Sequence, residues 1–135
     1  MSISTSLLAK AVMVEKEVEL PTSTGTVTGP TVAAGTLVLA AGVELIDAMD
    51  SADYDVTVTD GTTTFMAATA VDSGSAGDFA FGTQTQGIVA SEDTIDVTGT
   101  AGASPAATVT ARVWAIVVDV NNATGAADEV SRDQV

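Results

Sequence analysis

Residues 11–20, AVMVEKEVEL, alternate: Val12, Val14, Val18 and Leu20 fall on one side of an extended chain and Glu15, Glu17 and Glu19 on the other. A period of two with an acidic side predicts a half-buried strand with one wet face. Residues 21–35 mix Pro, Gly and Thr and suit an extended loop or an edge strand. Residues 36–40 and 43–49 are short apolar runs, predicted as two strands around a tight connection at Ala41-Gly42. Residues 53–60 alternate again and lead through Asp60-Gly61 into the β-prone run 62–70. Asp-Gly in that setting predicts a hairpin through a type I′ turn, which needs positive φ.

Further on, residues 71–77 form a turn-rich loop, and residues 78–82, DFAFG, predict a short strand with Phe79 and Phe81 on one face. A Gly/Gln/Thr loop separates them from a strand over 94–99, and residues 100–107 are a small-residue loop. The longest predicted strand covers 108–120, with Arg112, Trp114, Ile116 and Val118 on one face and Val109, Val113 and Val117 on the other. No segment has a capped helical period. About seven or eight short antiparallel strands at near ten-residue spacing predict an all-β fold, a β-sandwich or jelly-roll-like domain over residues 11–120. Residues 1–10 are expected to form an N-terminal arm, and 121–135 a polar C-terminal tail.

The side chains available for a core are small. The chain of 135 residues has 23 Ala, 19 Val and 21 Thr, against 20 residues of Leu, Ile, Met, Phe, Trp and Tyr together. Burying a large apolar side chain is worth roughly 1.5–3 kcal/mol and an alanine much less, so the core is thin for the chain length. Association would supply what the core lacks, which gives the domain a physical motive to join an oligomer or lie on a host surface.

Charge and chemistry exclude several functions. Four cations, Lys10, Lys16, Arg112 and Arg132, face 18 carboxylates, for a net charge of −14. Phosphate-backbone binding needs Lys and Arg, so no nucleic-acid partner is expected, and an anionic membrane surface is disfavoured for the same reason. The carboxylates suit a solvated surface, and Arg112 and Lys16 are each expected to pair with some of them. With no Cys and no His, thiol chemistry, the usual general base and the usual zinc ligand are missing. The start of the chain lacks a basic n-region and an apolar run, which predicts neither a membrane-spanning nor a Sec-exported protein.

Asp47, Asp50, Asp53 and Asp55 put four carboxylates within nine residues, the one weak candidate for a hard cation such as calcium. They lack the glycine and closing glutamate of an EF-hand loop, and solvated turn chemistry is the plainer reading. Ser91, Glu92, Asp93 and Asp96 form a second acidic turn. Glycoside hydrolysis needs an aromatic-lined cleft beside paired carboxylates, and five aromatics are few for both a core and a sugar platform. Serine has no recognisable base here. The expectation is therefore a non-enzyme with no cofactor, and Trp114 is expected to anchor a core or an interface.

The order of these features resembles a known group. The stretch LPTSTGTVTGPTVAAGTLVLAAGVELIDAMDSAD (20–53), the DVTVTDG turn (55–61), DFAFG, TIDVTGT (94–100) and ATVTARVWAIVVDV (107–120) look like small head decoration, or capsid cement, proteins of tailed bacteriophages. The chain departs from the group's style at Ala40-Ala41-Gly42, where the usual turn carries Pro. The resemblance implies a β-sandwich that binds between major capsid proteins on the outer capsid, commonly as a homotrimer, after assembly in the host cytoplasm. It carries over no site residues. Other readings are a tail, neck or fibre component, or a surface- or carbohydrate-binding β-sandwich module. Contacts are expected from the edge strand at 11–20, the loop at 21–35 and both termini, by strand addition.

Overall fold

The computed structural model describes residues 11–119. The arm expected over 1–10 and the tail expected over 121–135 lie outside the described residues. Every regular element among those described is a strand: β1 (Val12–Glu19), β2 (Gly25–Val27), β3 (Thr31–Val32), β4 (Thr36–Leu45), β5 (Tyr54–Thr59), β6 (Thr64–Ala70), β7 (Phe79–Ala80), β8 (Gly87–Val89), β9 (Asp93–Thr94), β10 (Asp96–Ala101) and β11 (Thr110–Asp119). All pairings are antiparallel. One sheet runs β1-β11-β4-β7, with β8 also on β4; the second runs β2-β10-β5-β6; β3 and β9 form a small ladder. Four short strands, β2, β3, β8 and β9, raise the number above expectation, while the two runs expected over 36–40 and 43–49 merge into β4.

The two large sheets form a β-sandwich because their strands alternate in burial. Ala111, Val113, Ala115 and Val117 of β11 point inward, as do Val43 and Leu45 of β4; Tyr54, Val56 and Val58 of β5 meet them from the other sheet. Of the aromatics only Tyr54 and Phe65 belong to this core, and much of the rest is Val and Ala. The chain passes from one large sheet to the other at β1–β2, β4–β5, β6–β7 and β10–β11, and by way of the β3/β9 ladder at β2–β4 and β8–β10, so most neighbours within a sheet come from distant parts of the sequence.

Among the described residues, one side of the sandwich is stitched and the other is not. Between β7 and β8 the free edge of β4 is met by Gln84, whose side-chain oxygen accepts the Ala41 N–H at 2.8 Å. The same stretch bonds to β6 through Ala67 N–H to Thr83 O (2.9 Å) and Thr85 N–H to Phe65 O (2.8 Å), so it bridges both sheets. On the opposite side β1 and β2 are both edge strands. The charges of Glu15, Lys16, Glu17 and Glu19 along β1 discourage uncontrolled edge pairing.

Three expectations need correction. Ala41-Gly42 is not a turn: β4 runs unbroken from Thr36 to Leu45, with a register shift opposite Ile116/Val117 that leaves Leu39 as the extra residue. Gly42 pairs with Trp114, and a Cβ built on it would stand 2.6 Å from an indole carbon, so the glycine makes room for a ring rather than bending the chain. Residues 46–49 then leave the sheet, with the Ile46 and Asp47 N–H groups both donating to Thr110 O. The Asp-Gly hairpin exists, but not as a type I′ turn. Gly61 has φ of 92° and Asp60 does not share the positive region; its buried carboxylate accepts the N–H groups of Thr62 (2.9 Å) and Thr63 (2.6 Å), which makes a longer loop. Finally, β8 lies in what reads as a Gly/Gln/Thr loop, because three residues are too few to show a period.

Candidate functional site

Arg112, Trp114, Ile116 and Val118 share a face of β11, as the sequence predicts, and the alternation that sends the valines opposite them inward turns that face outward. Across β1 and β4 the outward row continues through Met13, paired with Ile116, and Glu44, paired with Arg112. Phe79 pairs with Glu44 from β7, and Ile88 pairs with Leu37 from β8. This sheet therefore has two apolar faces, of which only the inner one is covered by the second sheet.

The outward face holds large apolar side chains that are left uncovered. Phe79 is 65% exposed, Met13 59%, Phe81 55% and Ile88 54%. Phe81 stacks on Trp114, with centroids 5.7 Å apart and planes 7° from parallel. The Trp114 indole N–H is buried and has no acceptor among the described residues. Beside the stack lies a hollow of about 450 Å³ lined by Met13, Glu15, Glu44, Phe79, Arg112, Trp114 and Ile116. Exposed apolar clusters with a polar rim mark interaction sites in monomeric proteins.

Charge on this face is one-sided. The Arg112 guanidinium pairs with Glu44, which it hydrogen-bonds through Nη1, and lies 3.7 Å from Glu15 and 3.5 Å from Glu17. Three carboxylates around one cation leave the rim acidic. The expected pairing of Arg112 is thus found, whereas Lys16 makes no ion pair among the described residues. Lys16 sits in the inward row of β1, opposite Val113, beside the open side of the sandwich.

The four acidic candidates part company. Asp47 accepts the Thr110 N–H at 3.0 Å, and both Asp50 oxygens accept the Ala106 N–H at 3.1 Å; each fastens backbone at or before the start of β11. Asp53 and Asp55 instead approach Asp72, with carboxylate oxygens within 4.8 Å of one another. Asp72 is already engaged, accepting the Tyr54 N–H at 2.7 Å. A calcium ion takes about 6–8 oxygen ligands, so three carboxylates, one of them so engaged, make only part of a shell. Asp72 lies too far along the chain to join the local acidic run, but the hairpin register brings it in: Asp55 pairs with Ala70, which sets 53 opposite 72. In the second acidic turn Asp93 and Asp96 bond locally to Thr94.

No family model and no curated protein matches this sequence. Among solved structures, the fold is similar to a chain in the acidic stable capsid structure of Helicobacter pylori bacteriophage KHP30, with a TM-score of 0.53 and 14% identity, covering 82% of this chain and 92% of that one. A weaker likeness, with a TM-score of 0.40 and 15% identity, covers 86% of this chain and 33% of a chain in the crystal structure of the infectious bursal disease virus VP2 subviral particle. At such identities the likeness to the phage chain is one of fold.

Proposed function

We propose that this chain is a structural protein of a tailed-phage virion, which decorates and stabilises the outer capsid by binding between major capsid proteins as a homotrimer. The observation that carries the reading is the division of side chains: a core built mostly of Val and Ala, while Trp114, Phe79 and Phe81 are set on an outward sheet face. A domain so built gains stability when that face is covered, which is linkage by mass action. The fold likeness to a chain of a phage capsid supports the same reading. So does the strand order, β1-β11-β4-β7 against β2-β10-β5-β6, which we read as a jelly roll, an architecture common in capsids.

The three surface aromatics favour one second reading, a carbohydrate-binding module. Against it, Phe81 stacks on Trp114 and takes up part of one face of the indole, and Met13 and Ile116 offer sugars no hydrogen bond. The test is to mix the purified chain with expanded capsids and, in parallel, with complete tailed particles, and image both. Added density in clusters of three at junctions between major capsid proteins is the expected result. Density confined to the tail, neck or fibres would replace the decoration reading with the tail one, and binding to glycans but not to particles would replace both.

A further inference from the structure

We infer that the outward face of the β1-β11-β4-β7 sheet is a docking surface for a different polypeptide, one that presents a bulky apolar side chain flanked by Lys or Arg. The inference rests on reading the chain as an assembly protein and adds which face is used and what chemistry the partner brings.

The apolar half of the argument is geometric. Trp114 and Ile116 floor the hollow, Met13 and Phe79 wall it, and its volume of about 450 Å³ admits a large side chain. Gly42 clears the space in which the indole lies, and Phe81 stacks on that indole, so the floor is held in place before anything binds. A preformed apolar pocket around a fixed aromatic is the usual setting of an interface hot spot.

Charge chooses the occupant. The rim carries Glu15, Glu17 and Glu44 around Arg112 alone. Over residues 11–119 there are fifteen carboxylates against two cations, Arg112, which those glutamates already hold, and Lys16, which lies in the opposite row of β1. A second copy meeting this face symmetrically would set glutamates against glutamates, since a two-fold contact repeats the same patch on both sides. A partner with Lys or Arg beside its apolar anchor meets the rim with opposite charge, which steers encounter and fixes register.

The chain has a single tryptophan, so its emission reports on the face directly. Three short synthetic peptides serve as probes, with the same aliphatic centre and flanks of lysine, serine or glutamate. The lysine-flanked peptide is expected to shift Trp114 emission and to bind roughly tenfold or more tighter than the serine-flanked one, with the advantage shrinking in high salt. Glu15→Lys with Glu17→Lys is expected to reverse the preference between lysine and glutamate flanks. Phe79→Ser with Phe81→Ser is expected to abolish binding of every peptide while circular dichroism is unchanged; should that pair misfold, Phe79→Lys alone makes the same test at the most exposed position.

Equal binding of all three peptides would overturn the inference. So would self-association in sedimentation, to a dimer or a trimer, that Phe79→Lys abolishes, which would make a second copy the occupant, or an emission shift produced by oligosaccharides and not by peptides. Failure here with normal capsid binding by Phe79→Lys sinks the docking face and leaves the virion role standing. Peptide discrimination as expected, with no binding to capsids, does the reverse.

Discussion

Tyr54 is the only tyrosine of the chain, and its side chain is fully buried where β5 begins. Its hydroxyl donates to Pro21 O at 2.7 Å, tying that strand to the loop that leaves β1. Burial disfavours the phenolate and pushes the pKa from 10.0 up to about 12. The neutral form is the one the fold prefers, so this contribution to stability is complete below the unfolded value and is lost as pH rises through the folded one. An absorbance titration should therefore show the native phenol ionising near 12, with stability falling between 10.0 and about 12. Tyr54→Phe should remove that pH slope and cost about 0.5–1.5 kcal/mol at neutral pH. A native midpoint at the unfolded value would contradict the burial argument. Gly42 makes a second prediction at this scale. A methyl group on it would also stand 2.9 Å from Ala80 O, so Gly42→Ala should cost about 1–3 kcal/mol in urea unfolding and alter Trp114 emission.

At the level of elements, the strands that alternate cleanly were legible and those defined by their neighbours were not. β1 and β11 follow from period two, and the two faces of β11 separate as its residues imply. β4 misleads because Ala41-Gly42 has the composition of a turn, while the reason for the glycine is a ring on a strand far away in sequence. β8 needs its partner residues on β4 to be recognised at all. The candidate face was half legible. Trp114 and the Phe79/Phe81 pair are visible as faces of separate strands, but only the sheet order turns those faces outward and puts them side by side. The acidic candidates show the same limit, since local clustering grouped Asp47 and Asp50 with residues they do not face. The hairpin between β5 and β6 offers a test at this scale. Asp60→Ala removes the acceptor of two N–H groups and should cost about 1 kcal/mol by thermal unfolding, with the loop's amide exchange rising first.

For the whole molecule, the point of interest is where the large side chains are spent. Phe79 and Phe81 contribute little to the core at their exposure, so replacing both with Ser should change the stability of the free chain by only about 0.5 kcal/mol. The same change should remove whatever stabilisation the bound state provides. These two effects separate a surface kept for a partner from a surface kept for folding. The most direct measurement is hydroxyl-radical footprinting of the chain free in solution and in place on purified virus particles. If the outward face is the docking surface, Met13, Phe79, Phe81 and Trp114 are oxidised readily in the free chain and protected together on the particle. Equal oxidation of these four in both states, with protection elsewhere, would contradict the account.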